Sequence, residues 1–145
     1  SREVLQDSYQ IIVPTGHPFA AKAVIEPHDL AGHSLIVHEK GSAPRRSTEE
    51  FIRRHGISVS IPLELSNNEA IKTAVEEGLG VAVITRRVVS KEIEMGKLKA
   101  IPLSDPAMTR KFYLIHHKDK YLSRPLQGLI EMVDQWADEY SRGEH

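Results

Sequence analysis

The sequence contains no cysteine, and this absence excludes several kinds of chemistry for the chain. Without thiols, the 145 residues can form no disulfide bond, no thiolate metal site and no cysteine-based redox sensor. Long apolar runs are missing too, since none approaches the ~18 residues of a membrane span, and no signal peptide is visible. These features favour a cytoplasmic location without membrane contact.

An excess of charge of one sign is also missing, because the formal net charge is −1 and the pI is about 6.7. Such a chain has no general basic field that would hold a nucleic-acid backbone. Arginine pairs occur at residues 45–46, 53–54 and 86–87. Because glutamates dilute the positive charge around these pairs, we predict that they form solvated surfaces.

Catalytic motifs are absent as well. The eight histidines form no obvious ligand set: His33 and His38 flank a predicted strand, and the adjacent His116 and His117 should face opposite sides of another. The chain has no HExxH, GxSxG or Gly-rich phosphate loop. We therefore expect no enzyme activity, no metal and no cofactor.

The chain does contain a regular alternation of strand and helix patterns, which indicates an α/β sheet. Hydrophobic and charged contents of 40% and 27% fit a globular chain long enough for one domain or two small lobes. Strands are predicted at residues 9–13, 34–37, 62–65, 81–84, 98–103 and 111–116. Helical segments are predicted at residues 27–30, 44–55, 88–93 and 126–140, besides the one described next.

Residues 67–84, NNEAIKTAVEEGLGVAVI, form the most informative segment. Ser66 and Glu69 have the Ser-x-x-Glu spacing of a capping box, and apolar residues follow at helical spacing. Gly78 suits the left-handed residue that closes a helix, and residues 81–84 predict a strand buried on both faces. Helix starts and strand ends of this kind bind small ligands in open α/β sheets. The alternative is a helix–strand unit with no site.

Several segments resemble the effector-binding half of LysR-type transcriptional regulators. They are residues 11–19 (IIVPTGHPF), 28–36 (HDLAGHSLI), 67–84 and 94–98 (EMGKL), and the resemblance spans roughly residues 5–140. The family's winged helix-turn-helix and the first βαβ segment of its effector half have no counterpart here. The resemblance therefore implies the C-terminal part of a longer regulator.

The fold implied by this resemblance is an α/β, periplasmic-binding-protein-like (type 2) lobe with a mixed sheet. Residues 1–12 would be a crossover segment, 13–108 the effector-binding lobe II, and 109–145 the return strand and C-terminal helix of an incomplete lobe I. In lobe II we expect parallel strands at the centre of the sheet and one or more antiparallel strands at an edge. We also expect another chain, or a rearranged part of this one, to cover the apolar stripe of the last helix. That stripe contains Leu126, Leu129, Val133 and Trp136.

Loops at residues 40–43, 65–68 and 84–86 are predicted to meet at one end of the sheet. Two of them open helices, whose free N–H groups favour anions. In the family, effectors lie between the lobes, near the positions that match Ser42 and Asn67. The predicted effector-binding residues are Gly41, Ser42, Ser66, Asn67, Asn68 and Thr85. Alternatively, the serines and Asn67 only cap helices, which is their commonest role.

The resemblance implies a ligand-sensing domain that binds a small anionic metabolite between two lobes. Its partners would be the effector and further copies of the chain, in a homodimer or higher oligomer. DNA would be contacted only through an N-terminal winged helix-turn-helix domain. One alternative is a solute-binding protein of a transport system with the same fold. Another is an enzyme on this fold, which the lack of a catalytic constellation disfavours.

Overall fold

The computed structural model describes residues 1–115 and 123–142, and its backbone divides into two units. The central unit is Ser8–Met108, and the terminal unit combines Ser1–Asp7 with Thr109–His145. The assignment of residues 13–108 to lobe II and of residues 109–145 to an incomplete lobe I stays a prediction.

The central unit is built on a mixed sheet. In chain order its elements are β1 (Arg2–Pro14, whose first residues belong to the terminal unit), β2 (Leu35–His38), α1 (Ala43–His55), β3 (Glu64–Leu65), α2 (Asn68–Glu76), β4 (Val81–Thr85), α3 (Ser90–Glu94) and β5 (Leu98–Pro102). The sheet order is β3-β2-β4-β1-β5. Strand β2 is parallel to β3 and β4, whereas β1 is antiparallel to both β4 and β5. The predicted mixed α/β fold is confirmed.

The position of the antiparallel strand differs from the expectation. We expected it at an edge, but β1 lies one place inside the edge and β5 takes the outer position. Ile11 of β1 pairs with Val83 on one side and with Ile101 on the other, and it is fully buried. A strand this apolar is covered most effectively by neighbours on both sides, which explains its interior place.

Helices cover both faces of the central sheet. On one face Phe51 of α1 packs with Ile11 and Val13, and on the other Ile71 and Val75 of α2 pack with strand residues that include Ile12. Burying each large apolar side chain contributes roughly 1.5–3 kcal/mol. The two apolar layers therefore hold the helices so that their N-termini lie at a fixed position relative to the sheet.

The predicted helix ends are confirmed at Gly56 and Gly78, which have left-handed φ angles of 59° and 78°. The predicted capping box is wrong. Asn67 is the N-cap of α2, because its Oδ1 accepts the amide hydrogen of Ala70 at 2.8 Å. The carboxylate of Glu69 instead lies 2.7 Å from the Nζ of Lys72, a buried amine that also pairs with Glu92.

The terminal unit contains β6 (Thr109–Leu114), which pairs with β1, and α4 (Arg124–Arg142). Arg2 donates two hydrogen bonds to Asp134 of α4, at 2.7 and 2.8 Å. The predicted strand ends at His116, which lies outside the described residues, as does His117. Among the helices that the structure describes, none is long and apolar enough to cross a membrane.

The apolar stripe of α4 is partly open in the single chain. Leu129 and Trp136 are 55% and 47% exposed, and Leu126 and Val133 are half-buried. The expectation that another chain, or a rearranged part of this one, covers the stripe stays a prediction.

Candidate functional site

The C-terminal ends of β2, β3 and β4 lie at one edge of the central sheet, because these strands are parallel. The register joins His38 to Leu65 and Ile36 to Ala82. The loops predicted at residues 40–43, 65–68 and 84–86 follow these strand ends. The first of them leads into α1 and the second into α2. Two helix N-termini therefore lie at this edge, which we call the β2–β4 edge.

Ser42 is the N-cap of α1 at the β2–β4 edge. Its Oγ accepts the amide hydrogen of Arg45 at 3.2 Å and donates to the carbonyl of Glu39 at 2.8 Å. The neighbouring Gly41 has a φ of 88°, which an L side chain rarely adopts, and its carbonyl accepts from Arg46 at 2.6 Å. The hydroxyl hydrogen of Ser42 is thus already used, and one lone pair of its oxygen is left for a ligand.

Asn67 caps α2 through its Oδ1, but its NH₂ group has no hydrogen-bond partner in the part of the chain that is described. The side chain is exposed, as is that of Ser66, which makes no capping contact. Asn67 therefore presents a donor to the β2–β4 edge while its oxygen holds the helix.

Asn68 and His38 form a hydrogen bond across this edge. The Oδ1 of Asn68 lies 2.8 Å from the Nε2 of His38, which is buried at the end of β2. Because a carboxamide oxygen only accepts, Nε2 of His38 carries the hydrogen. From its sequence context, His38 is predicted only to flank a strand. The contact spans 30 positions, so no local signal identifies it.

Thr85 and Gln10 are buried side chains at the same edge. Thr85 ends β4 opposite Tyr9, and Gln10 follows on β1 opposite Ile84. The Oε1 of Gln10 is buried without a hydrogen-bond partner among the described residues. Sequence reasoning missed Gln10; a lone glutamine in an apolar strand, YQIIV, is the only signal that could have marked it.

The prediction that the arginine pairs form solvated surfaces is wrong for Arg45, because its side chain is buried. Its Nε lies 2.7 Å from Glu49, and its Nη1 donates to Glu64 at 3.1 Å and to the carbonyl of His38 at 3.0 Å. The backbone amide of Lys40, and then Arg45, lower the pKa of Glu64. The guanidinium is neutralised by its partners, so it positions the loop after β2 instead of offering a free charge to a ligand.

All the residues predicted to bind the effector lie at the β2–β4 edge: Gly41 and Ser42 after β2, Ser66, Asn67 and Asn68 after β3, and Thr85 at the end of β4. Their role in binding stays a prediction. The fold belongs to the periplasmic-binding-protein-like type 2 class. In open α/β sheets, small ligands bind beyond strand ends such as these.

The family follows from a match of residues 1–138 to the LysR substrate binding domain, and the chain belongs to that family. It is 30% identical to the uncharacterized HTH-type transcriptional regulator YeiE of Escherichia coli K12, over 90% of this chain and 44% of that protein. It is 29% identical to the transcriptional activator CmpR of Synechocystis, over 91% and 43%. The chain thus spans less than half the length of these relatives.

Solved structures share the fold. The regulatory domain of CcmR from Synechocystis, in complex with 2-PG, superposes with a TM-score of 0.77 at 27% identity, covering 94% of this chain and 65% of that one. The effector binding domain of QuiR, in complex with shikimate, superposes with a TM-score of 0.69 at 18% identity, covering 95% and 65%. The second likeness concerns the fold alone.

Proposed function

We propose that this chain is the effector-sensing part of a LysR-type transcriptional regulator and that it binds a small anionic metabolite at the β2–β4 edge. The observation that carries the proposal is the placement of two helix N-termini, α1 and α2, beyond parallel strand ends. Such termini offer unpaired N–H groups and partial positive charge to an anion. The NH₂ group of Asn67 adds a donor there.

The effector changes the regulator by shifting its population between states, which requires the ligand to prefer one of them. We propose that the intact regulator works as a homodimer or higher oligomer in the cytoplasm. DNA is contacted by a winged helix-turn-helix domain outside these 145 residues. The relatives are regulators, which supports sensing over transport or catalysis.

The variant Asn67→Asp tests the site, because it keeps the capping oxygen and replaces the NH₂ donor with a second anionic oxygen. A carboxylate at an N-cap interacts favourably with the helix dipole, so the melting temperature should hold or rise. Binding of an anion should fall about tenfold or more, since hydrogen bonds to charged groups contribute about 1.5–3 kcal/mol. Calorimetry with 2-PG and a panel of small carboxylates and phosphates measures this change.

Lys91→Gln is the matched control, because it also lowers the net charge by one but lies on the exposed surface of α3. It should bind like the unmodified chain. If Asn67→Asp binds every anion of the panel as tightly as Lys91→Gln does, Asn67 is only a cap. Ser42→Ala is a poorer test, because loss of its capping bond to Arg45 costs ~1 kcal/mol in any case.

A further inference from the structure

A cavity lies at the opposite edge of the central sheet from the β2–β4 edge. It has a volume of about 320 Å³ and opens where β1 ends and where β2 and β4 begin. His17, His33 and Ser34 line it together with Pro14 and a glycine-rich turn. We call it the His17/His33 pocket. It shares no residue with the β2–β4 edge.

His17 is held in one tautomer by a capping bond. Its Nδ1 accepts the amide hydrogen of Phe19 at 3.0 Å, so the hydrogen of the neutral ring sits on Nε2, which can only donate. Burial, and then the neighbouring His33, lower the pKa of His17, which keeps the ring neutral at pH 7. The ring centroids of the two histidines are 6.0 Å apart.

The chemistry of the lining favours an anion over a cation. The pocket has two imidazoles and the hydroxyl of Ser34, which has no hydrogen-bond partner within the described residues, and it has no carboxylate. A metal-bound imidazole donates from its second nitrogen. In His17 the lone pair of Nδ1 already accepts the amide hydrogen of Phe19, and Nε2 carries the hydrogen of the neutral ring. Neither nitrogen is therefore left with a lone pair for a metal. The Nε2–H of His17 suits an oxygen that accepts hydrogen bonds.

We propose that the His17/His33 pocket is a second ligand site, which binds a small oxyanion of the carboxylate or phosphate class. The Nε2–H of His17, the ring of His33 and the hydroxyl of Ser34 supply the polar contacts. The volume lies at the lower end of the range for small-molecule sites, about 300–1,000 Å³. The site is independent of the effector site proposed above.

Inorganic phosphate and acetate are the probes, added at pH 7.5 to the isotope-labelled chain while the ring nitrogens of its histidines are followed by NMR. Saturable shifts of His17 and His33 are expected with at least one probe. Whichever probe binds more tightly identifies the phosphate or carboxylate class. If neither probe gives a saturable shift of these rings, the proposal is wrong.

His17→Asn separates binding from folding, because asparagine can still cap the Phe19 amide with Oδ1 but lacks the Nε2–H. It should weaken binding of the tighter probe about tenfold with little change in melting temperature. His17→Ala should lower both the affinity for the probe and the melting temperature. His28→Asn, at a histidine exposed outside the pocket, is the matched control and should bind like the unmodified chain.

Two results of the variants decide the matter. If His17→Asn and His33→Asn bind both probes as tightly as His28→Asn does, the pocket is not an anion site. Asn67→Asp should leave these shifts unchanged, because its site lies at the other edge of the sheet. Failure of the effector proposal and failure of this one are therefore distinguishable.

Discussion

Capping and ligand contact, which the sequence presents as alternatives for Asn67, are compatible in its side chain. Its oxygen caps α2, while its NH₂ group faces no partner among the described residues. Ser42 is similar, since its hydroxyl is bonded twice and keeps one lone pair. At the scale of the residue, a helix cap does not exclude ligand contact, because capping uses only part of each side chain's hydrogen-bonding capacity.

Asp105 is the residue with the clearest pH dependence. Burial alone would raise its pKa, but hydrogen bonds from His55, Arg54 and the amide of Ala107 outweigh burial and lower it to about 2. A carboxyl with a depressed pKa in the folded state stabilises the protein above its unfolded pKa, ordinarily about 3.8. This contribution should be lost as the pH falls from about 4 to about 2.

Asp105→Asn should therefore reduce the free energy of unfolding at pH 7 by about 1–2 kcal/mol, after allowance for solvent screening. Its stability should also fall less than that of the unmodified chain between pH 4 and pH 2. Urea denaturation at a series of pH values measures both. Glu94→Gln, at an exposed position on α3, removes the same charge and should leave the profile nearly unchanged. Parallel acid profiles for the unmodified chain and Asp105→Asn would contradict the assignment.

At the scale of the element, the sequence predicts most helices and strands because their signals are local. Caps, glycine stops and apolar periodicity lie within a few residues of each other, as in the helix that ends at Gly56. The burial of Arg45 and the bond between His38 and Asn68 depend on contacts between distant segments. The cap of α2 is mispredicted for a different, local reason: backbone geometry decides whether Ser66 or the adjacent Asn67 becomes the cap.

The start of β4 depends on close approach to β2 at Gly80. A Cβ at this position would lie 2.7 Å from the backbone carbonyl oxygen of Ser34. Because this atom belongs to the backbone, no side-chain movement can relieve the clash. Gly80→Ala should therefore cost about 1–3 kcal/mol of stability. Gly16→Ala is the matched control, because its Cβ would meet nothing within 4 Å and its φ is not positive. Equal midpoints in urea for the two variants would refute the proposed steric conflict.

At the scale of the whole molecule, α4 presents an apolar face that suits an interface. Leu129, Met132 and Trp136 are exposed along the helix, and covering each large side chain contributes roughly 1.5–3 kcal/mol. The emission of Trp136, the single tryptophan, should therefore shift to the blue as protein concentration rises. Met132→Lys should suppress this shift.

Gln135→Lys adds the same charge at an exposed polar position of α4 and is the control for that experiment. It should self-associate like the unmodified chain. A red-shifted, readily quenched Trp136 in a sample that is strictly monomeric at all concentrations would argue against the interface.

Binding of a small anionic effector at the β2–β4 edge can be observed directly in solution. The most direct measurement is an amide NMR titration of the labelled chain with 2-PG and small carboxylate and phosphate metabolites. We expect a saturating ligand to shift the amides of Gly41, Ser42, Asn67 and Asn68, and Asn67→Asp to weaken these shifts. A saturating ligand that moves only amides elsewhere, with these four unchanged, would contradict binding at this edge.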